Sequence, residues 1–261
     1  MKKQLKNQVV ILKIGGSIIT EKASGKPKIK KSVVTQIVKE LKIFTKLFPD
    51  AKIILLHGAG SFGHPLVYEY KLTEKPLVGR QLLGFTKTVL AMRNLANQMT
   101  EIFISNQLPI LPLQTSALNM QNIDHLKDFL DAGFIPMLGG DMGLTEVNKA
   151  VVISADRLAI LFSKKFPNSK IIFATDVEGV FENFYAENKK LISNMSRKEL
   201  EGIILKMEQQ KSRYDVTGGM AGKLQELLNI KNKEVIIFNG MKAKNLTKAL
   251  IGEQIGTRII L

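Results

Sequence analysis

The stretch Ile53-Ile54-Leu55-Leu56, followed directly by His57-Gly58-Ala59-Gly60-Ser61-Phe62-Gly63-His64, decides the class of fold. Four apolar residues that end at a glycine-rich turn are typical of a short, fully buried β-strand. Buried strands of this kind belong to parallel sheets that are covered by helices on both faces. Glycine lets the backbone approach a ligand closely, and ligands of such sheets bind beyond the carboxyl ends of the strands. The same stretch therefore predicts a binding site at its turn.

The order of apolar strand, turn and helix recurs along the chain. Three more apolar runs end at a glycine or acidic turn: Val9 to Ile14 at Gly15-Gly16, Phe134 to Leu138 at Gly139-Gly140-Asp141, and Ile171 to Ala174 at Thr175-Asp176. Helical spacing predicts helices over about residues 32–48, 77–105, 124–131, 154–165, 197–206, 217–230 and 243–251. Further strands are expected at 109–113, 150–153, 235–238 and 257–260, with a turn or hairpin at 180–190. This alternation predicts an α/β fold, a three-layer α/β/α sandwich with a mostly parallel central sheet.

The composition narrows the classes of function. The chain has 261 residues, no cysteine and a formal net charge of +15, so disulfides, thiolate metal sites and a cysteine nucleophile are excluded. The charge could serve nucleic-acid binding, but the lysines are spread along the whole chain, and four tyrosines without a tryptophan do not make a base-stacking platform. A positive cleft that gathers phosphate-rich substrates is the more useful interpretation. We therefore expect no nucleic-acid partner.

The sequence near the N-terminus predicts a first β-strand. Met1-Lys2-Lys3 is basic, but the apolar run after it is short and contains Lys13, which indicates a first strand instead of a signal peptide. No run of apolar residues is long enough for a membrane span. A cytoplasmic protein without a membrane partner is expected.

The glycine-rich segment fits two known patterns, and each fit has a defect. Gly58 and Gly63 have the spacing of a Walker A loop, but His64-Pro65 stands where that loop needs Lys and then Ser or Thr. Gly58-x-Gly60-x-x-Gly63 is also the dinucleotide fingerprint. A second strand that ends in an acid for the ribose is not evident, because a long helical region follows. A nicotinamide-dependent oxidoreductase stays a weaker alternative, as does a nucleic-acid-binding module.

Several charged side chains lie beside the predicted turns. Lys13 interrupts an apolar strand just before Gly15, and a charge there is costly unless it faces compensating anions. His64 directly follows the glycine loop and could donate a hydrogen bond to a phosphate. The other candidates are Lys22, Asp156, Asp176 and Lys223. Phosphoryl transfer needs positioning and positive charge more than covalent chemistry. Lysines that converge with loop amides would supply both the positioning and the charge.

Three motifs together resemble the amino acid kinase family. They are Lys13-Ile14-Gly15-Gly16-Ser17, Thr175-Asp176-Val177-Glu178-Gly179-Val180, and Asp215-Val216-Thr217-Gly218-Gly219-Met220 through Lys223. Within that family, the segment from His57 to His64 and Phe238-Asn239-Gly240 resemble the isopentenyl phosphate kinases. The resemblance covers nearly the whole chain in order, and it implies the amino acid kinase fold.

The resemblance also implies roles for individual residues. Lys13, Lys22, His64 and Asp156 would be catalytic: Lys13 on the transferred phosphate, Lys22 on the transition state, and Asp156 orienting the lysines. ATP would be bound by Lys13, Gly15, Gly16, Ser17, Ala59, Asp176, Gly219 and Lys223. The acceptor's phosphate would be held by Gly58, Gly63 and His64, with Gly140 lining that side. Many relatives have a glycine at the position of Ala59, where a methyl group is tolerable if φ is negative.

The implied activity is ATP-dependent phosphorylation of isopentenyl phosphate to isopentenyl diphosphate. Mg²⁺ would bridge the ATP phosphates with few or no direct protein ligands, and family habit suggests a homodimer. The chain would form one domain, residues 1–261, with an acceptor-binding lobe over about 1–165 and a nucleotide-binding lobe over about 166–261. A sister kinase for a nucleoside monophosphate or a phosphonate stays open. The apolar stretch from Leu82 to Met92 could line a pocket for the hydrocarbon tail, or it could simply fill the core.

Overall fold

A computed structural model describes residues 8–21, 27–74, 77–118, 123–145, 149–182, 189–209 and 219–261. The strands in these ranges are β1 Val9–Ile14, β2 Lys52–His57, β3 Ile110–Leu113, β4 Ile135–Gly139, β5 Asp141–Leu144, β6 Ala150–Ile153, β7 Ser169–Thr175, β8 Asn194–Ser196, β9 Glu234–Asn239 and β10 Thr257–Ile260. The helices are α1 Gly16–Ile19, α2 Lys31–Leu47, α3 Gly60–Glu69, α4 Arg80–Ser105, α5 His125–Asp131, α6 Ala155–Lys165, α7 Arg197–Gln209, α8 Gly219–Leu227 and α9 Asn245–Ile251.

Eight strands form the central sheet in the order β3-β4-β2-β1-β7-β9-β10-β8. The six strands from β3 to β9 run parallel, so their carboxyl ends share one edge of the sheet. Strand β10 is antiparallel to β9 and parallel to β8. The predicted mostly parallel sheet is confirmed. Strands β1 and β7 lie at its centre and are buried along their whole length.

Helices cover both faces of the sheet, and the alternation of side chains along β1 shows how. Val10, Leu12 and Ile14 pack in one core cluster with residues of α2, α4 and α9. Val9 and Ile11 pack in a second cluster with residues of α5, α6, α7 and α8. Because successive side chains of a strand point to opposite faces, Lys13 lies on the second face, towards α6 and α8.

The structure differs from the sequence-based expectation around the glycine-rich turn. The segment from Gly60 forms a helix of its own, α3, although it contains glycine and Pro65, which are poor helix formers. Packing of α3 against α4 overrides this weak propensity. The predicted helix from residue 77 begins at Arg80 instead. Pro65 is the sixth residue of α3 and has no backbone N–H, so the Ser61 carbonyl oxygen receives no hydrogen bond from it.

A small second sheet was not predicted. Strands β5 and β6 pair antiparallel, with Asp141 opposite Ile153 and Leu144 opposite Ala150. The sequence predicts β6, but of β5 it assigns only Asp141, as the last residue of the turn Gly139-Gly140-Asp141. At the predicted turn or hairpin at 180–190, Phe181 pairs with Leu191, one residue beyond that range, in an isolated antiparallel bridge, and residues 183–188 lie outside the described residues. None of the helices in the described ranges combines the length and apolar character of a membrane span.

Candidate active site

One large cavity opens at the carboxyl ends of β1, β2, β4 and β7, and its volume is about 710 Å³. Nearly all the residues singled out from the sequence line it: Lys13, Gly15, Gly16, Ser17, Gly58, Ala59, Gly63, His64, Gly140, Asp156, Asp176, Gly219 and Lys223. Lys22, Thr217 and Gly218 lie outside the described residues. The fold thus brings turns that are far apart in sequence to one place, as expected for parallel strands that end at a common edge.

A triad of charges lies at the centre of this cavity. The Nζ atoms of Lys13 and Lys223 lie 3.0 Å and 2.7 Å from the same oxygen, Oδ1 of Asp156. Lys13 comes from β1, Asp156 from the first turn of α6, and Lys223 from the first turns of α8. Ser154 accepts a hydrogen bond from the backbone N–H of Arg157 and caps α6, which fixes the direction of that first turn. Two helices and the central strand therefore hold the triad in place.

The charges of the triad depend on one another. Burial opposes ionisation of Asp156, but Lys13 and Lys223 outweigh burial and hold the pKa of that carboxyl well below its usual range. Burial lowers the pKa of Lys223, and repulsion from Lys13 lowers it further, while Asp156 raises it. The Lys223 ammonium also lies 4.5 Å from the centre of the Phe173 ring. With all three groups charged, the triad has a net charge of +1 and attracts anions into the cavity.

The two glycine turns that follow β1 and β2 touch each other. A Cβ atom on Gly16 would lie 2.3 Å from the backbone nitrogen of Gly60, and one on Gly58 would lie 2.5 Å from the backbone nitrogen of Gly16. No side chain fits between the turns, which explains glycine at these positions. We name the turn at Gly15-Gly16-Ser17 the first loop and the turn at Gly58–Ser61 the second loop.

His64 projects from α3 into the cavity and is exposed to the open cleft. Partial desolvation by the cleft walls lowers the pKa of His64, and the positive charge of Lys13 lowers it further. The imidazole is therefore neutral near pH 7 and can donate one N–H. Ala59, at the N-cap of α3, has φ −74°. Its methyl group is thus accommodated without backbone strain, which answers the question raised by the missing glycine.

One end of the cavity is apolar. Val67, Met92, Met142, Val152 and Ile153 line it. Of the stretch from Leu82 to Met92, Thr88 and Met92 line the cavity, whereas Leu82, Leu83 and Leu90 are exposed. Phe85 and Val89 pack beside a small buried cluster formed by Tyr70, Leu72, Met142 and Ala150. Of the two roles that the sequence leaves open for this stretch, the cavity wall applies to Thr88 and Met92, because the apolar residues of α4 are divided among cavity, core and surface.

Sequence reasoning missed several cavity residues. Met142, Val152 and Ile153 come from the β5–β6 hairpin, which was not foreseen as a wall of the site. Thr20 and Ser61 also line the cavity, and the Oγ of Ser61 is buried with no hydrogen-bond partner among the described residues. Ser61 directly follows Gly60, so a hydroxyl next to a glycine turn was an available signal for it, whereas Thr20, four residues after Gly16, carried none.

His57 does not face this cavity. It is completely buried, its Nδ1 lies 3.3 Å from the Gly58 carbonyl oxygen, and a Cβ on Gly139 would collide with its ring. The ring therefore packs against the turn that follows β2 and against Gly139 at the end of β4. Desolvation lowers the pKa of His57 to about 4, against a smaller opposing effect of the Gly58 hydrogen bond.

This buried imidazole makes the stability of the protein depend on pH. The unfolded chain protonates His57 below an ordinary pKa near 6.5, whereas the folded protein does so only near 4. The contribution of neutral His57 to the free energy of unfolding is complete above pH 6.5. It is lost as the pH drops towards 4, and it amounts to roughly 3 kcal/mol in total. Urea unfolding of the wild type and of His57→Asn at several pH values will measure this. The difference between the two proteins should shrink with falling pH, and two parallel curves would contradict the assignment.

Among the described residues, no group of three or more His, Asp or Glu side chains is placed to hold a metal ion. The cavity instead presents ammonium groups and loop amides. This donor set suits phosphate oxygens, which can themselves bind a divalent cation.

The chain is similar to known proteins over nearly its whole length. The model of the amino acid kinase family matches residues 8–239. An isopentenyl phosphate kinase of Methanothermobacter thermautotrophicus is 32% identical, with 96% of this chain and 98% of the relative covered. One of Methanocaldococcus jannaschii is 30% identical with the same coverage. A solved structure of isopentenyl phosphate kinase superposes with a TM-score of 0.81 at 28% identity, covering 97% of this chain and all of the other.

Proposed function

The chain belongs to the amino acid kinase family, and from this premise we propose that it transfers the γ-phosphate of ATP to isopentenyl phosphate, giving isopentenyl diphosphate and ADP. The observation that carries the proposal is a single cavity that combines three features. It has a cationic triad, two touching glycine loops with a histidine beside them, and an apolar end. Such a cavity suits two phosphate-bearing molecules, one of which has a short hydrocarbon tail.

The donor side would be built around the first loop. Gly16 and Ser17 would offer backbone N–H groups to the ATP phosphates. Gly15, whose N–H donates to the Ala174 carbonyl oxygen, would let the backbone approach the phosphates closely, and Ala59 would lie beside them. Lys13 and Lys223 would neutralise the charge that develops on the transferred phosphoryl group. Asp176 and Gly219 would contact the nucleotide. Lys22, outside the described residues, is assigned to the transition state by the family resemblance.

The acceptor side would be built around the second loop. Gly58, Gly63 and His64 would hold the acceptor's phosphate, with Gly140 across the cavity. The N–H of a neutral His64 would donate to a phosphate oxygen. The apolar end formed by Val67, Met92, Met142, Val152 and Ile153 would take the hydrocarbon tail. A nucleoside monophosphate would place a polar ribose against this apolar wall, which is unfavourable without hydrogen-bond partners.

The chemistry requires no general base. An oxygen of the acceptor phosphate, ionised at neutral pH, attacks the γ-phosphorus of ATP. The new P–O bond forms as the bond to the bridging oxygen of ADP breaks, with attacking and leaving oxygens in line. The residues of this chain supply positioning and charge: the two loops set the distance between the phosphates, and Asp156 keeps Lys13 and Lys223 aimed at the transferred group.

Mg²⁺ is the expected companion of ATP. When bound, it supplies charge neutralisation between phosphate oxygens, a role that needs no dedicated carboxylate cage. The cavity wall fits this mode, since its ammonium groups and loop amides can hold the phosphates around the ion. Direct protein ligands for the metal are therefore not proposed.

The function is tested by measuring ADP release with ATP and a panel of acceptors. Isopentenyl phosphate should give the highest kcat/KM, followed at a distance by UMP and a small phosphonate. A variant that removes the central cation, Lys13→Met, should abolish turnover and serves as the control for contaminating kinases. A preference for UMP or the phosphonate would indicate a sister kinase of the same fold with a different acceptor.

We further propose that the enzyme is a homodimer, and α4 carries the supporting observation. Leu83, Leu90 and Ile104 are 55%, 56% and 62% exposed and follow one another at multiples of seven residues. Such spacing places them in one stripe along the helix, which Asn97 interrupts between Leu90 and Ile104. A second copy of the chain, packing its own stripe against this one, would remove these side chains from water. A cytoplasmic location and the division into lobes at about residues 1–165 and 166–261 stay predictions.

Leu90→Glu should therefore convert the protein into a monomer. A charge in the middle of an apolar interface loses its hydration without gaining a partner. Light scattering after size-exclusion chromatography should give a mass near 29.1 kDa for the variant and about twice that for the wild type. Leu205→Glu, at a 60% exposed leucine on α7, is the matched control and should stay dimeric. Equal masses for Leu90→Glu and the control would refute an interface on α4.

A further inference from the structure

We infer that Thr20 is a positioning residue for phosphoryl transfer: its hydroxyl ties the first loop to the second and so sets the spacing between the two phosphates. The inference rests on the proposed function, because it assumes that ATP phosphates lie on one loop and the acceptor phosphate on the other. Thr20 directly follows α1, lines the cavity and is 1% exposed.

The hydroxyl of Thr20 bonds to both loops at once. Its Oγ1 donates to the Gly16 carbonyl oxygen at 2.8 Å, and it accepts from the backbone N–H of Ser61 at 3.0 Å. A threonine hydroxyl has one proton to donate and lone pairs to accept with. The donor is thus used on the first loop and an acceptor position on the second, so that one atom links the two backbones.

The backbone around this atom is shaped to let it reach both partners. Gly60 has φ +49°, in the left-handed region that favours glycine. A Cβ there would lie 2.1 Å from the Thr20 Oγ1 and 2.8 Å from the Gly16 carbonyl oxygen. The second loop therefore needs a glycine at this point for the hydroxyl to enter. The two loops are thus held together by the Thr20 hydroxyl and by the close contact between Gly16 and Gly58.

An ordinary structural role explains only half of this arrangement. Threonine hydroxyls at the end of a helix often bond to the carbonyl four residues earlier, as Thr20 does to Gly16. That habit does not account for the bond from Ser61, which is 41 residues away. The N–H of Ser61 belongs to the first turn of α3 and has no acceptor within its own helix. Thr20 supplies that acceptor from the opposite loop.

The consequence for catalysis follows from geometry. Phosphoryl transfer requires the attacking oxygen and the γ-phosphorus to meet in line, and a misplacement of about 1 Å can lower the rate about a hundredfold. Each loop would still bind its own phosphate without the Thr20 hydroxyl, because the amides and lysines that contact the phosphates remain. The link should therefore matter for turnover more than for the binding of either substrate alone.

The test compares Thr20→Val, Thr20→Ser and Thr257→Val. Valine keeps the shape of threonine without its hydroxyl, whereas serine keeps the hydroxyl. Thr257 is the matched control: its buried Oγ1 also joins two segments, accepting from the Val180 N–H at 2.8 Å and donating to the Ile192 carbonyl at 2.6 Å, but it does not line the cavity. The readouts are kcat with isopentenyl phosphate, the Kd of each substrate alone, and Tm.

For Thr20→Val we expect kcat to fall about tenfold to a hundredfold, with both Kd values near those of the wild type. Thr20→Ser should recover most of the lost kcat, and Thr257→Val should lower Tm but retain kcat. The inference is overturned if Thr20→Val retains wild-type kcat, or if Thr257→Val loses as much kcat as Thr20→Val for a similar loss of Tm. A wild type that is inactive on isopentenyl phosphate would refute the proposed function instead, so the two failures are distinguishable.

Discussion

Replacing Asp156 by asparagine should lower kcat by about a hundredfold to a thousandfold, the range seen when one preorganised electrostatic group is removed. A single oxygen of Asp156 holds both Lys13 and Lys223, at 3.0 Å and 2.7 Å. Without the carboxylate, the two lysines lose the charge that holds them together, and Lys223, whose pKa Asp156 raises, loses its proton more readily. Asparagine keeps the size of the side chain, so cavity formation does not explain the loss.

The pH profile of this variant distinguishes an electrostatic role of Asp156 from a steric one. Burial and Lys13 already lower the pKa of Lys223, and Asp156 opposes them. Removing Asp156 must lower that pKa further, so the charged form of Lys223 is lost at a lower pH. The basic limb of kcat should therefore move to lower pH in Asp156→Asn. An unmoved limb together with an undiminished kcat would contradict the role assigned to the triad.

His64→Ala should reduce kcat/KM for isopentenyl phosphate by about a hundredfold or more, by analogy with the removal of one oxyanion donor. His64 is the side chain that we place on the acceptor's phosphate, and it lies in the open cleft beside Lys13. ATP binding should be unaffected, because its phosphates are assigned to the other loop. Isothermal calorimetry with ATP and steady-state kinetics with the acceptor provide the two measurements.

Two further variants define what His64 contributes. His64→Gln keeps a neutral N–H donor and should retain more activity than alanine. His125→Ala removes an exposed histidine on α5 that does not line the cavity, and it should behave as the wild type. If His64→Ala weakened ATP binding as much as acceptor binding, the assignment of this histidine to the acceptor side would be wrong.

Much of the fold could be predicted from local patterns. Strands β1, β2, β4, β7 and β9 are short apolar runs that end at glycine or acidic turns, and packing does not override this pattern. Strand β8, with the sequence Asn194-Met195-Ser196, has no such pattern and is not predicted. Lys13 was predictable for the opposite reason, because a charge within an apolar strand needs a compensating partner. The structure provides that partner in Asp156, 143 positions further along the chain, and the sequence alone gave no distance between them.

What could not be predicted depends on contacts between distant segments. Helix α3 forms against weak propensity because it packs on α4. Thr20 accepts a hydrogen bond from Ser61 in the other loop, and neither residue type is unusual in its own stretch. Glu40 of α2 is buried yet satisfied, because it accepts from the backbone N–H groups of Lys244 and Thr247 at the start of α9. Each of these contacts joins residues that are too far apart in sequence for a local pattern to predict.

The dinucleotide fingerprint shows how a pattern can fit while its usual meaning does not. Gly58, Gly60 and Gly63 do follow a strand and open a helix, as that motif demands. In this fold, however, the glycines serve a close contact with the first loop, where Gly16 and Gly60 meet. A glycine pattern indicates that the backbone is in close contact with a ligand or with another segment. In this fold the contact is with another turn of the same chain.

The central claim is that two phosphates meet in one cleft and that the γ-phosphate passes directly between them. Phosphorus NMR of the wild-type enzyme with ATP, Mg²⁺ and isopentenyl phosphate tests it most directly. We predict that the acceptor's single resonance is replaced by the two coupled resonances of a diphosphate, in step with conversion of ATP to ADP. ATP consumption that releases inorganic phosphate and leaves the acceptor resonance unchanged would contradict the claim.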